Sequence, residues 1–151
     1  MSTKRPLVLV HGLWDSPRLF SGLLRELAQY GAPKLVPHLP HQLGRVSLFD
    51  LAHLLDVAIQ GRWGSEAIVD LLGFSMGGLI GRVWLQQFGG ARRTRRFISV
   101  GSPQRGSYTA QLVPSWLLPG VADMKRGSPL LDELNRDSTS LKSLICTSYF
   151  C

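Results

Sequence analysis

Apolar positions along the chain follow two alternating rhythms. "PLVLV" (6–10), "KLVPHLP" (34–40), "AIVDLLG" (67–73), "RFISVGS" (96–102) and "LKSLICTSYF" (141–150) are short, largely apolar runs, as expected of strands buried in a sheet. Between them the spacing lengthens to that of a helix. Leu19, Phe20, Leu23, Leu24 and Leu27 share one face, with Ser16 and Pro17 as the start signal and Gly31 as the stop. Leu51, Ala52, Leu54, Leu55, Ala58 and Ile59 predict a second helix. "MGGLIGRVWLQQFGG" (76–90) predicts a third, closed by its glycine pair, and "SPLLDELNRD" (128–137) a fourth with a Ser–Pro start.

Strands alternating with helices imply a parallel sheet with right-handed crossovers and helices on both faces, a three-layer α/β/α sandwich. Ligands in such sheets bind beyond the carboxyl ends of the strands. Those ends carry His11–Gly12, Pro37–His38, Ser75 and Gly101–Ser102. The stretch 103–128 breaks both rhythms with Pro103, Pro114 and Pro119, several glycines and Trp116. It reads as a loop-rich insertion, a cap over one end of the sheet, within a single domain spanning 1–151.

Composition narrows the class. The chain has 151 residues, 44% of them hydrophobic, enough for one sizeable core and too many for a disordered chain. No apolar run approaches the ~18 residues of a membrane span. The "LVLV" behind the basic start "MSTKRP" is too short for a signal peptide, so a cytoplasmic location is expected. Cys146 and Cys151 show neither metal-ligand spacing nor a disulfide framework. No P-loop or His–Glu metal motif appears, so no cofactor and no metal are expected.

The net charge of +7 owes part to Arg92, Arg93, Arg95 and Arg96 in "ARRTRR". This cluster reads as a solvated helix-to-strand connection, with peripheral contact to an anionic membrane as the functional alternative. No aromatics interleave with it, so no nucleic-acid partner is expected. Nothing in the chain specifies an oligomeric state.

The candidate chemistry lies in "LLGFSMGGLIGR" (71–82), where Ser75 stands between Gly73 and Gly77 at a strand-to-helix junction. Gly-x-Ser-x-Gly alone is a weak signal, but a buried strand before it and a helix after it are the context a nucleophilic serine needs. Glycines on either side relieve a sharp turn, and the helix start favours developing negative charge. The structural alternative is that Gly73, Gly77 and Gly78 only permit close helix–sheet packing. "LVLVHGLW" puts a His11–Gly12 loop after the first strand, where the Leu13 amide, with that of Met76, would form an oxyanion hole. His11 is otherwise a capping or core-edge histidine, and in neither case the general base.

"VLVHGLWDSP", "LVPHLP", "LLGFSMGGLIGR" and "ISVGSPQRGS" together resemble the α/β-hydrolase superfamily, most closely its bacterial lipase- and esterase-type members, over about residues 6 to 150. The resemblance implies a serine hydrolase acting on small-molecule or lipid carboxylic esters. Ser75 would be the acyl-forming nucleophile, and the Leu13 and Met76 amides would hold the oxyanion. His11, Gly12, Trp14, Phe74, Gly77, Ser102 and Pro103 would border the site, and Trp116 with Leu117–Leu118 would cap an apolar acyl pocket. Phe74 stands where lipases often carry histidine.

In that family the order along the chain is serine, acid, histidine. Here His11, His38, His41 and His53 all precede Ser75. Among possible substitutes, His38 lies on the same sheet edge as Ser75, though it and His41 also read as loop residues at a pocket rim. Asp123, Asp132 and Asp137 follow Ser75 but read as surface charges, and Asp70 as a structural carboxylate within a strand. The resemblance therefore covers the nucleophile half of such an enzyme, as though the chain were truncated before the acid and histidine. A serine without a base is a poor nucleophile, so little ester turnover is expected of these 151 residues. The alternative is a non-catalytic remnant that keeps a ligand pocket or an interaction surface.

Overall fold

In a computed structural model that describes residues 4–114 and 116–149, five parallel strands form one sheet in the order β2-β1-β3-β4-β5. They are β1 (Leu7–Val10), β2 (Lys34–Leu35), β3 (Val69–Phe74), β4 (Thr94–Val100) and β5 (Ile145–Tyr149). The helices are α1 (Ser21–Glu26), α2 (Leu48–Trp63), α3 (Met76–Gln87), α4 (Pro119–Asp123) and α5 (Pro129–Arg136). The fold is the expected α/β sandwich. Right-handed crossovers require the leftward β1–β2 connection, with α1, to pass on one face and the rightward connections, with α2, α3 and α5, on the other. The packing of α2 along α3 agrees.

The main core lies under α2 and α3. Val8, Val10, Val69, Leu71 and Phe97 of the strands meet Leu51, Leu55, Ile59, Leu79, Ile80 and Val83 of the helices, all buried. Gly81 makes the close approach possible, because a Cβ there would sit 3.0 Å from Leu71 and 3.2 Å from Phe97. Trp84 is fully buried and donates its indole N–H to Asp56 at 2.8 Å. Asp56 also pairs with Arg93, whose guanidinium stacks 5.1 Å over the Trp84 ring. One member of the arginine cluster is thus a structural residue, while Arg92, Arg95 and Arg96 are exposed.

Several elements differ in extent from the sequence expectation. The second strand shrinks from 34–40 to two residues. Pro37 and Pro40 have no N–H to give a ladder, which explains the early stop. The first helical segment is divided among a 3-10 turn (Pro17–Phe20), α1 and a second 3-10 turn (Leu27–Tyr30) that ends at left-handed Gly31. Ser16 makes no side-chain cap bond, and of the predicted apolar face only Phe20 is buried. The last strand starts at Ile145, after a 3-10 turn over Thr139–Ser143. Phe150 and Cys151 lie outside the described residues, as do Ser115 and the first three residues of "MSTKRP".

The 103–128 stretch folds as a 3-10 turn (Thr109–Leu112) followed by α4. It is fastened to the body at several points, among them the Gln104 carbonyl, which accepts from Arg82 of α3 at 3.3 Å. Gly120 sits so close to the Val46 carbonyl that no side chain fits between them. Asp123 accepts the Leu48 amide of α2 at 2.9 Å, beside the Ser47 cap of the same helix.

Candidate active site

Ser75 occupies the junction of β3 and α3 with φ 53° and ψ −123°, a conformation that L-residues avoid. The surroundings force it. The Ser75 amide donates to the Val100 carbonyl of β4 at 2.8 Å, and the Ser75 carbonyl accepts the Gly78 amide at 3.0 Å. A Cβ on Gly73 would lie 2.5 Å from Gly78, one on Gly77 would strike the Val10 carbonyl, and one on Gly78 would strike Ser102. The glycines therefore leave no room for side chains where α3 meets the sheet. They allow α3 to press on the sheet, and that pressing is what bends the chain at Ser75.

The loop after β1 lies against the serine. A Cβ on Gly12 would approach Ser75 Cβ to 3.0 Å. A turn follows, in which the Asp15 amide donates to the Gly12 carbonyl at 3.3 Å and Trp14 has φ 61°. Among the described residues the Leu13 amide has no backbone acceptor. Met76 is the first residue of α3, so its amide has no acceptor within the helix either.

His11 is buried behind this loop. The Leu39 amide donates to its Nε2 at 3.1 Å, so the ring proton sits on Nδ1, which donates to the Gly12 carbonyl at 3.1 Å. Burial is the main cause that holds its pKa below the usual histidine value, and nearby His41 and His38 act in the same direction. Both ring nitrogens are engaged, so His11 fixes the loop and takes no proton from Ser75. His38 and His41 surround it, each with its ring centroid 6.1 Å from that of His11. His53 is on α2 against Phe88, away from the site. Among the described residues no histidine hydrogen-bonds Ser75.

Three of the four candidate carboxylates have structural partners. Asp70 accepts from Arg5 at 3.4 Å. Asp123 is held by the Leu48 amide, and burial is the main cause that raises its pKa. Asp132 is exposed in the first turn of α5. Asp137 accepts the Thr139 amide at 3.0 Å, and this bond is the main cause that lowers its pKa.

Ser75 opens into a cavity of about 280 Å³. Leu13, Trp14 and Pro103 wall it from the sheet edge, and Ala110, Val113, Leu118, Val121 and Met124 from the 103–128 stretch. Of the cap residues expected over a pocket, Leu118 lines the cavity, whereas Trp116 and Leu117 are exposed and do not. The residues of the 103–128 stretch that line it are Ser107 and Thr109 beside small or medium apolar side chains, which no local motif distinguishes. Of the other expected border residues, Phe74 is half-buried at the end of β3 and Ser102 is buried under Gly78. Larger hollows, of about 460 Å³ beside Arg92 and Arg93 and about 650 Å³ between Phe49, Gln86 and Pro129, do not include Ser75.

A family model described as the alpha/beta hydrolase fold matches residues 5–150. Among curated relatives, the bovine (Bos taurus) lysosomal thioesterase PPT2 is 32% identical over 126 residues, covering 76% of this chain and 39% of that protein. Its Drosophila melanogaster homolog is 28% identical over 109 residues, covering 69% of this chain and 37% of that protein. Among solved structures, the mature lipase BlEst2 of Bacillus licheniformis superposes with a TM-score of 0.77 at 18% identity, over 98% of this chain and 66% of that one. The chain spans less than two fifths of the length of either thioesterase relative.

Proposed function

Because the chain belongs to the alpha/beta hydrolase fold family, we propose that Ser75 is the acyl-accepting nucleophile of a serine hydrolase acting on carboxylic esters. The observation that carries this reading is the strained Ser75 turn, opening into an apolar cavity with the Leu13 and Met76 amides beside it. In the reaction, Ser75 Oγ bonds to the acyl carbon as its proton leaves to a base. The carbonyl oxygen becomes an oxyanion between the two amides. The carbon–oxygen or carbon–sulfur bond then breaks, the leaving group takes that proton from the base and departs as an alcohol or thiol, and water later cleaves the acyl group from Ser75. A donor in such a hole is worth about 3 kcal/mol of barrier. The cavity takes the acyl chain, so the relatives' printed names, lipase and thioesterase, differ in the leaving group and share this half of the chemistry.

The absence of a histidine bonded to Ser75 among the described residues favours a second reading. In it the same cavity binds acyl groups without turnover. A fluorophosphonate probe separates the two. With the full chain, followed by intact mass and peptide mapping over hours, we expect slow stoichiometric attachment at Ser75 and none in Ser75→Ala. A chain that is folded by circular dichroism and takes no probe overturns the hydrolase reading and leaves the acyl-binding one.

A further inference from the structure

The most exposed of the large apolar side chains gather on a few loops. Among the described residues the five most exposed large ones are Leu112 (86%), Trp116 (83%), Tyr108 (74%), Trp14 (72%) and Leu43 (63%). They come from three loops: Trp14 from the one after β1, Leu43 from the one after β2, and Tyr108, Leu112 and Trp116 from the 103–128 stretch. Trp14 lines its mouth, and Tyr108, Leu112 and Trp116 belong to the stretch that walls it. Leu43 adjoins Gly44, where a Cβ would touch Val121 and come within 3.8 Å of Leu118. Single exposed apolar residues are ordinary, but a cluster of this size around a cavity marks a contact surface.

The fully exposed charges on these loops are basic, while Asp15 beside Trp14 is half-buried. Arg45, Arg105 and Arg126 are exposed, and Arg126 lies over the Tyr108 ring at 4.6 Å. Asp123, the one acid of the 103–128 stretch, is half-buried with its carboxylate on the Leu48 amide, so it does not offset them. Tryptophan, tyrosine and leucine beside arginine suit a surface that is apolar within and anionic at its boundary.

We propose that this rim docks the protein on an anionic lipid surface, with the mouth of the Ser75 cavity facing the acyl chains. The docking face does not depend on Ser75 chemistry. If Ser75 is the acyl acceptor, its substrates are acyl groups presented in that lipid phase.

The test uses the full chain with phosphatidylcholine vesicles, with and without phosphatidylglycerol. Binding is read by co-sedimentation and tryptophan emission. The chain should bind the phosphatidylglycerol vesicles with a blue shift and bind pure phosphatidylcholine weakly. Leu112→Ser with Trp116→Ser should reduce partitioning about tenfold or more, since both side chains would leave lipid for water. Arg105→Gln should reduce it about fivefold. Both residues of the apolar pair are exposed, so the variant should keep the wild-type Tm, and Ser75→Ala should bind as the wild type does.

Three results would overturn the proposal. One is no binding to phosphatidylglycerol vesicles by a folded chain. Another is binding that survives the apolar pair but is lost when Arg92, Arg95 and Arg96 become Gln, which places contact at the far end of β4. The third is a self-association that the apolar pair abolishes without any change in vesicle binding, which makes the rim a protein interface. Loss of vesicle binding with Ser75 still labelled by the probe removes the docking face alone, and the converse removes the hydrolase reading alone.

Discussion

Ser75 holds φ 53° with a side chain that would relax elsewhere, at a cost of about 1–3 kcal/mol for such a residue. This strain gives the serine a signature that can be measured without substrate. Ser75→Ala removes Oγ but keeps the Cβ that makes the conformation costly. Ser75→Gly removes the Cβ as well, at the price of a more flexible unfolded chain. We expect Ser75→Gly to be more stable than Ser75→Ala by about 1 kcal/mol, a rise in Tm of about 2–4 °C for a domain of this size. Equal stability of the two would mean that the turn is relaxed in solution. The turn was legible in the sequence because its determinants are local: Gly73, Gly77 and Gly78 each lack a Cβ that would collide with a neighbour. The cavity residues Ala110, Val113, Val121 and Met124 were not legible individually, because only the folding of the cap brings them to Ser75.

At the scale of elements, the order of strands and helices was readable from periodicity, and the boundaries less so. Prolines that looked like the end of a strand, Pro37 and Pro40, leave most of the predicted stretch outside it. The start of α2 carries a capping signal that the apolar pattern did not use. Ser47 Oγ accepts the Asp50 amide at 3.1 Å and donates to the Asp50 carboxylate at 2.8 Å. Contacts between connections lie beyond periodicity altogether, and His11 is the clearest case. It ties the loop after β1 to the loop after β2 through Leu39. Its folded pKa lies below that of an ordinary histidine, chiefly through burial. Below that value the unfolded chain binds a proton that folded His11 resists. The stability His11 supplies is therefore complete above the unfolded pKa and is lost as pH falls toward the folded pKa. Urea midpoints should drop between neutral pH and about pH 5.5, and His11→Gln should be less stable at neutral pH by about 1–2 kcal/mol and lose less on acidification. Parallel pH profiles for the two proteins would show that His11 is not the group responsible.

For the whole molecule, the two faces of the sheet are unequally covered. Val69, Leu71 and Phe97 are buried beneath α2 and α3. On the other face Leu9 of β1 is buried, but towards β5 the residues Leu72, Phe74, Ile98 and Val100 are only half-buried. The register continues that face onto β5 through Ile145, Thr147 and Tyr149, and every residue of β5 is exposed. The alternation that marks a strand is present there, but the sequence pattern alone cannot tell an apolar face that is packed from one that is open. Among the described residues β5 has one neighbouring strand and no buried side chain, so it should open by itself. In hydrogen exchange at low protein concentration, β5 amides should therefore exchange well before those of β1 and β3, whose protection should approach that of global unfolding. If β5 proves as protected as β3, and that protection falls on further dilution, the open face and edge are being covered by a second copy of the chain. Protection that persists at every dilution would show that the β4–β5 ladder holds without any packed face, and the instability argued here for the edge would be wrong.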